Sequence, residues 1–199
     1  MEIISMKVSR EQMVANRRRI LQEASRLFRE RGFAAVTVAD VMKAAGQTHG
    51  GFYGHFASKD ELITATVTDA LAGDGSGMDD IDTWTDTYLS PLHRENADQG
   101  CPMASLAGLM RHQTPPARGA MAKGLDAHIG RLAEALPGDD GAERRRAAIG
   151  RWAAMVGAVI LSRAIDDAAL SNELLRETRA WIGPTQSRSA MDHNEDVRA

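Results

Sequence analysis

Four helix starts fall between Met13 and Leu62, and their punctuation leaves little room for any other local architecture. From Met13 to Arg31 the residues Ile20, Ala24, Leu27 and Phe28 recur at offsets of 0, 4, 7 and 8, one face of a helix. Arg17, Arg18, Arg19, Arg26 and Arg29 flank that stripe, and Gly32 stands where a C-terminal stop belongs. Thr37-Val38-Ala39-Asp40 has capping-box spacing and starts a short helix carrying Val41 and Met42, which Ala45-Gly46 ends. Thr48 can cap a third short helix, His49 to Phe56. Ser58-Lys59-Asp60-Glu61 then opens a fourth, carrying Leu62, Ile63 and Val67. Short helices this close, joined by a Gly-containing turn, predict a helix-turn-helix. All four Phe (28, 33, 52 and 56) lie in this stretch, and their spacing predicts a small core of its own.

Beyond Leu71 the run AGDGSGMDDID reads as a loop. Further helices are expected at 82–95, 102–112, 116–136, 142–165 and 171–182, giving an all-α chain of about nine helices. Pro102 suits a first-turn position, Pro115-Pro116 open the next helix, Pro137 to Gly141 is a turn, and Gly183-Pro184 closes the last. The first ten residues lack a clear period and are expected to fray, and the polar tail 185–199 is expected to be disordered. Aromatics at 5% argue against a β-sandwich. The single Cys excludes a disulfide framework and a Cys-rich zinc module. No apolar leader stands at the start, and the longest charge-free apolar stretch, between Arg151 and Arg163, is far shorter than the ~20 residues a membrane span needs. A cytoplasmic protein without membrane association is expected.

The formal net charge of −3 conceals an asymmetry. Residues 1–62 carry ten Lys/Arg against seven Asp/Glu, whereas residues 63–199 carry fourteen against twenty. A basic module on an acidic body suggests that the first third meets a polyanion.

The segment Thr37-Val38-Ala39-Asp40-Val41 … Ala45-Gly46-Gln47-Thr48-His49-Gly50-Gly51-Phe52-Tyr53-Gly54-His55-Phe56-Ala57-Ser58-Lys59-Asp60-Glu61-Leu62 resembles the DNA-binding domain of TetR-family (tetracycline-repressor-like) transcriptional regulators. Gly100 to Ala107 and Arg163 to Ser171 resemble one branch of that family's C-terminal domain. The resemblance implies a DNA-binding domain over 10–62 and a regulatory and dimerisation domain over 63–184. It implies a homodimer bound to a palindromic operator and released by a small-molecule effector, a repressor rather than an enzyme. Thr48, His49 and Gly51 would face the major groove, while Tyr53, His55, Lys59 and Thr37 would contact phosphates. Thr48 either caps its helix or touches DNA. Gly50 and Gly51 serve either close backbone approach to the sugar-phosphate or a tight turn against the preceding helix. Gln47 replaces the family's usual aliphatic plug, so either the turn is looser or Gln47 reaches DNA.

For the body, Trp152, Val156, Val159 and Ile160 in one helix and Leu174, Leu175, Thr178 and Trp181 in the last supply a candidate dimer face, unless both stripes are buried within one subunit. Candidate ligand-pocket residues are Trp84, Tyr88, Cys101, Met103, Met110, His112, Met121, His128 and Met155, although residues of these types are more often plain core. Cys101, beside the helix start at Pro102, is either an electrophile or oxidant sensor or a buried small hydrophobe. The six His form no i,i+4 pair with a carboxylate partner, and no metal or cofactor is expected.

Overall fold

The computed structural model describes residues 10–73 and 78–185. The expected frayed start and disordered tail therefore lie, apart from Arg10 and Thr185, outside the described residues.

Within these residues the chain is helical throughout, with no strand. Helix α1 (Arg10–Ala35) buries the expected Ile20, Ala24, Leu27 and Phe28, and it is interrupted at Gly32, whose φ of 74° only glycine adopts at little cost. Helix α2 (Val38–Ala44) starts at the Thr37 capping box, in which the Thr37 hydroxyl and the Asp40 carboxylate each satisfy the other's backbone N–H. The third element, expected as an α-helix to Phe56, is a 3₁₀ helix over His49–Gly54. Three glycines in six residues weaken the α form. Helix α3 (Lys59–Leu71) begins at Ser58, whose hydroxyl accepts from the Glu61 N–H at 3.1 Å. All four Phe are buried with Val36, Val41, Met42 and Leu62 beneath α1. The Phe28–Phe33 and Phe52–Phe56 ring pairs lie 5.2 and 5.6 Å apart. At roughly 1.5–3 kcal/mol per buried Phe, this cluster dominates the stability of the small module.

The body follows as α4 (Ile81–Tyr88), α5 (Pro91–Glu95), α6 (Pro102–Leu106), a 3₁₀ segment (Ala107–His112), α7 (Pro115–Ala135), α8 (Gly141–Arg163) and α9 (Ala168–Ile182). Asp80, Asp140 and Asp167 cap α4, α8 and α9 by accepting two backbone N–H bonds each. The expected single helix 82–95 is two, because Ser90 caps a new helix with Pro91 at its first turn. Likewise 102–112 tightens to 3₁₀ after Leu106.

The expected boundary at residue 62 falls inside α3. Leu62 is buried in the small module, and the same helix runs on to cross α7. That crossing is close because α7 presents Gly124, where a Cβ would lie 2.5 Å from the Cβ of Leu71. The module and the body share one continuous helix.

Candidate nucleic-acid interface and internal cavity

The turn between α2 and the 3₁₀ helix is closed by backbone bonds. Gly46, at a φ of 67°, donates to the Lys43 carbonyl at 3.1 Å, and Gln47 N–H reaches back to Met42 at 2.8 Å. This is the double bond pattern of a Schellman stop. The turn is therefore not loosened by a polar residue at position 47, and the Gln47 side chain is half-buried beside it.

The 3₁₀ helix buries Phe52 and turns Thr48, His49, Gly50 and Tyr53 outward. Tyr53 is 69% exposed, and the His49 ring meets it edge-on at 6.4 Å. Thr48 makes no side-chain cap bond. A Cβ on Gly50 would meet nothing within 4 Å, and one on Gly51 would find only ordinary contact, 3.5 Å from Thr48 Oγ1. Neither glycine has a positive φ. The chain itself thus requires glycine at neither position.

Flanking groups pin this segment in place. Arg17 of α1 donates to the His55 carbonyl, and its guanidinium lies 4.2 Å from the centre of the Phe56 ring. Partial burial, and then the Arg17 charge, hold the pKa of His55 below the usual imidazole range. Lys59 Nζ donates to the Phe33 carbonyl at 2.6 Å, tying the start of α3 to the end of α1. The Thr37 hydroxyl donates to Asp40 at 2.6 Å, and these bonds hold the Asp40 carboxyl below its ordinary range. Thr37 therefore has the capping task its spacing predicts, and Lys59 has a structural task that sequence reasoning missed.

In the body, α3 to α8 line an open-mouthed cavity of about 340 Å³. Of the expected pocket residues it brings together Trp84, Tyr88, Cys101, Met103 and His128, and it adds Trp152, His93 and Arg131. Met155 is instead wholly buried core, Met110 is buried in the 3₁₀ segment, and His112 is exposed beside Arg111. Met121 lines an adjoining apolar groove between α7 and α8 with Leu125, Ile129, Ile149 and Val156, behind the shared wall of Met103 and Trp152. The cavity wall is aromatic: Trp152 lies 4.0 Å from His128, 5.1 Å from Tyr88 and 5.9 Å from Trp84, centre to centre.

His93 holds one edge of the cavity in a defined tautomer. Its Nδ1 donates to the Tyr88 carbonyl at 2.7 Å, and its Nε2 accepts from the Cys101 N–H at 3.0 Å. Burial lowers the His93 pKa, and the Arg163 charge assists. Burial, then the neighbouring Arg131 charge, takes His128 down to about 4. Burial, with the Cys101 thiol alongside, pushes Tyr88 up, so it stays a phenol. Among the described residues no cluster of His, Cys, Asp or Glu could hold a metal ion, and no helix is long and apolar enough to cross a membrane.

Residues 20–66, the span that builds the outward 3₁₀ face and its supports, match the family described as bacterial regulatory proteins, tetR family. This stretch belongs to the TetR family. The HTH-type transcriptional repressor KstR2 of Mycobacterium tuberculosis is 35% identical over 101 residues, 51% of this chain and 48% of that protein. The HTH-type transcriptional regulator TtgR of Pseudomonas putida is 35% identical over 80 residues, 37% of this chain and 38% of that protein. The chain thus spans about half the length of the curated relatives it matches, or less. Reduced NemR of E. coli shares the fold with a TM-score of 0.69 and 21% identity, over 85% of this chain and 95% of that one. A TetR-family regulator from Agrobacterium tumefaciens does so at 0.68 and 17%, over 87% and 100%.

In the body the two C-terminal segments singled out by resemblance meet. Arg163 donates to the carbonyls of Arg94 and His93 at 2.9 and 2.8 Å, closing the last turn of α5, and reaches Ser105 at 3.4 Å. A Cβ on Gly100 would sit 3.1 Å from the Arg163 guanidinium. The candidate dimer stripe needs correction: Trp152, Val159 and Leu175 are buried within the one chain. Val156, Ile160, Leu174, Thr178 and Trp181 remain at least partly open, Trp181 at 74%. Both faces of α8 are apolar, so periodicity alone does not separate the inward one.

Proposed function

We propose that this chain is a dimeric repressor that inserts the His49–Gly54 helix into the major groove of a palindromic operator and leaves it when a small molecule enters the 340 Å³ cavity. One observation carries the DNA reading. An outward face of Thr48, His49, Gly50 and Tyr53 rests on a fully packed support, and its glycines answer no need inside the chain. Backbone approach to the sugar-phosphate accounts for them; a tight turn against α2 does not. The basic balance of residues 1–62 fits a polyanionic partner, and the name of KstR2, an HTH-type transcriptional repressor, points the same way.

Within this reading Thr48, His49 and Gln47 approach base edges, and Tyr53, Gly51, His55, Lys59 and Thr37 meet the backbone. Lys59 keeps two N–H donors beyond the one given to Phe33. A second copy packs on the outward stripe of α8 and α9, Val156 and Ile160 with Leu174, Thr178 and Trp181, in a four-helix interface.

A salt titration of binding to duplex DNA tests this. Several phosphate contacts should give a log–log slope near −0.9 per contact. A flat response would instead describe a helix-turn-helix that docks on protein.

A further inference from the structure

Three buried polar atoms around the cavity have no hydrogen-bond partner: Tyr88 Oη, His128 Nε2 and Arg131 Nε. All three residues line it. Arg131 is the one lining residue, among those described, that is charged at neutral pH, since burial keeps His93 and His128 neutral. No aspartate or glutamate lines the cavity among the described residues, and Arg131 makes no ion pair there. Arg131 is half-buried with its Nε unsatisfied and no ion pair, and a ligand relieves that cost by bringing acceptors. Arginine has donors and no acceptor, while a phenol and a neutral imidazole can each donate once more. A carboxylate, with about four lone-pair sites, is the acceptor that matches a guanidinium and still has capacity for a neighbouring phenol or imidazole.

The rest of the wall says what carries that carboxylate. Trp84, Tyr88, Trp152 and His128 form a contiguous set of rings with neighbouring centres 4.0 to 5.9 Å apart. Such a surface favours a flat ring system over a flexible chain. The volume of about 340 Å³ admits a small molecule of one or two rings. Arg131 is the single cation in the lining, and the nearby Arg163 is committed to the His93 and Arg94 carbonyls, which suits one negative charge and leaves a doubly charged phosphate under-neutralised.

We propose that the cavity takes a small planar aromatic monoanion, an aryl carboxylate, whose charge pairs with Arg131 and whose ring lies against Trp84 and Trp152. This rests on the reading of the cavity as the effector site, and it adds the ligand class.

Matched acids and amides test it on the full chain: benzoate and benzamide, 2-naphthoate and 2-naphthamide, biphenyl-4-carboxylate and its carboxamide. Calorimetric titration reads affinity. Protection of Cys101, the only cysteine, from a maleimide reports whether the cavity is filled. At least one acid should bind about tenfold or more tighter than its amide and protect Cys101. Arg131→Met should abolish that preference while amide binding persists, and Arg131→Lys should keep part of it. Should Arg131→Met not fold, the wild-type acid/amide comparison and Arg131→Lys still decide. Equal binding of acid and amide in the wild type, with Cys101 protected, would overturn the anion inference and leave the effector cavity standing. A preference undiminished in Arg131→Met would also overturn it. No binding or protection by any member would remove both.

Discussion

Arg29, on the helix that braces the recognition segment, donates its Nε–H to the backbone carbonyl of Asp98 at 2.7 Å. The next residues, Gln99, Gly100 and Cys101, are wall of the cavity. Gly32, three residues on in α1, stands over Leu109 of the body, with a Cβ there only 3.2 Å from its methyl. The cavity edge and α1 are therefore joined by one charged hydrogen bond and a packed contact. Burial lowers the Arg29 pKa while Asp98 opposes the shift, as expected of a guanidinium held in place by its partner.

If that bond transmits the signal, coupling must run in both directions. Bound duplex should change the maleimide reactivity of Cys101 by about fivefold or more in the wild type, and in Arg29→Ala the change should shrink toward none. An unaltered change in Arg29→Ala would assign the coupling to α3 instead.

The glycines of the module separate into two kinds. Gly46→Ala places a side chain at a φ of 67° and should cost about 1–2 kcal/mol of stability, read as a lower urea midpoint. Gly50→Ala and Gly51→Ala should leave that midpoint unchanged or slightly higher, because the chain has room for both methyl groups. Their duplex affinity should nevertheless fall about tenfold or more, the scale of one good contact. Normal DNA binding by both variants would remove the close-approach reading.

Gly124→Ala should destabilise the whole protein by about 1–3 kcal/mol, the usual cost of overpacking. The new methyl would fall 2.5 Å from Leu71 Cβ, on a backbone-proximal atom that cannot swing aside. Leu71 also lines the cavity, so ligand affinity should drop with stability. Gly119→Ala, on the same helix with open space around it, is the matched control and should be neutral or stabilising.

Acid should weaken the fold in a defined window. The folded-state pKa of His128 lies near 4, below the unfolded value of about 6.5, so the unfolded chain binds more protons between the two. His93 and His55 shift the same way. Stability should be full above about pH 6.5 and decline as pH falls toward 4. The depressed carboxyls of Asp40 and Asp80 act only below that window. Urea midpoints measured from pH 4.5 to 8 should follow this course, and His128→Phe should flatten it.

Three helix starts were legible because capping is local: Thr37, Ser58 and Pro102 announce α2, α3 and α6 within four residues, whereas α9 begins at Ala168 behind the Asp167 cap, ahead of the expected 171. The break at Ser90-Pro91 was equally local, and it was overridden by the apolar period running through it. The 3₁₀ form of His49–Gly54 had a signal in Gly50, Gly51 and Gly54. The cavity was legible only in part, through Trp84, Tyr88, Cys101, Met103 and His128. His93 and Arg131 became wall residues only when α5 and α7 met α8, a long-range event that leaves no period in the sequence. Trp152 illustrates the same limit from the other side. It belongs to an apolar stripe wide enough to face a second copy, yet it is 5% exposed and packs on Trp84, Tyr88 and His128.

Selection of bound sequences from a random duplex library by the full chain bears most directly on the central claim, that the His49–Gly54 face of a dimer reads an operator. The account predicts an enriched inverted repeat with half-sites about 10 base pairs or a multiple apart, bound by two chains, and an altered preference at one half-site position for His49→Ala. A pool that remains unenriched after selection, with wild type and His49→Ala indistinguishable, would contradict it.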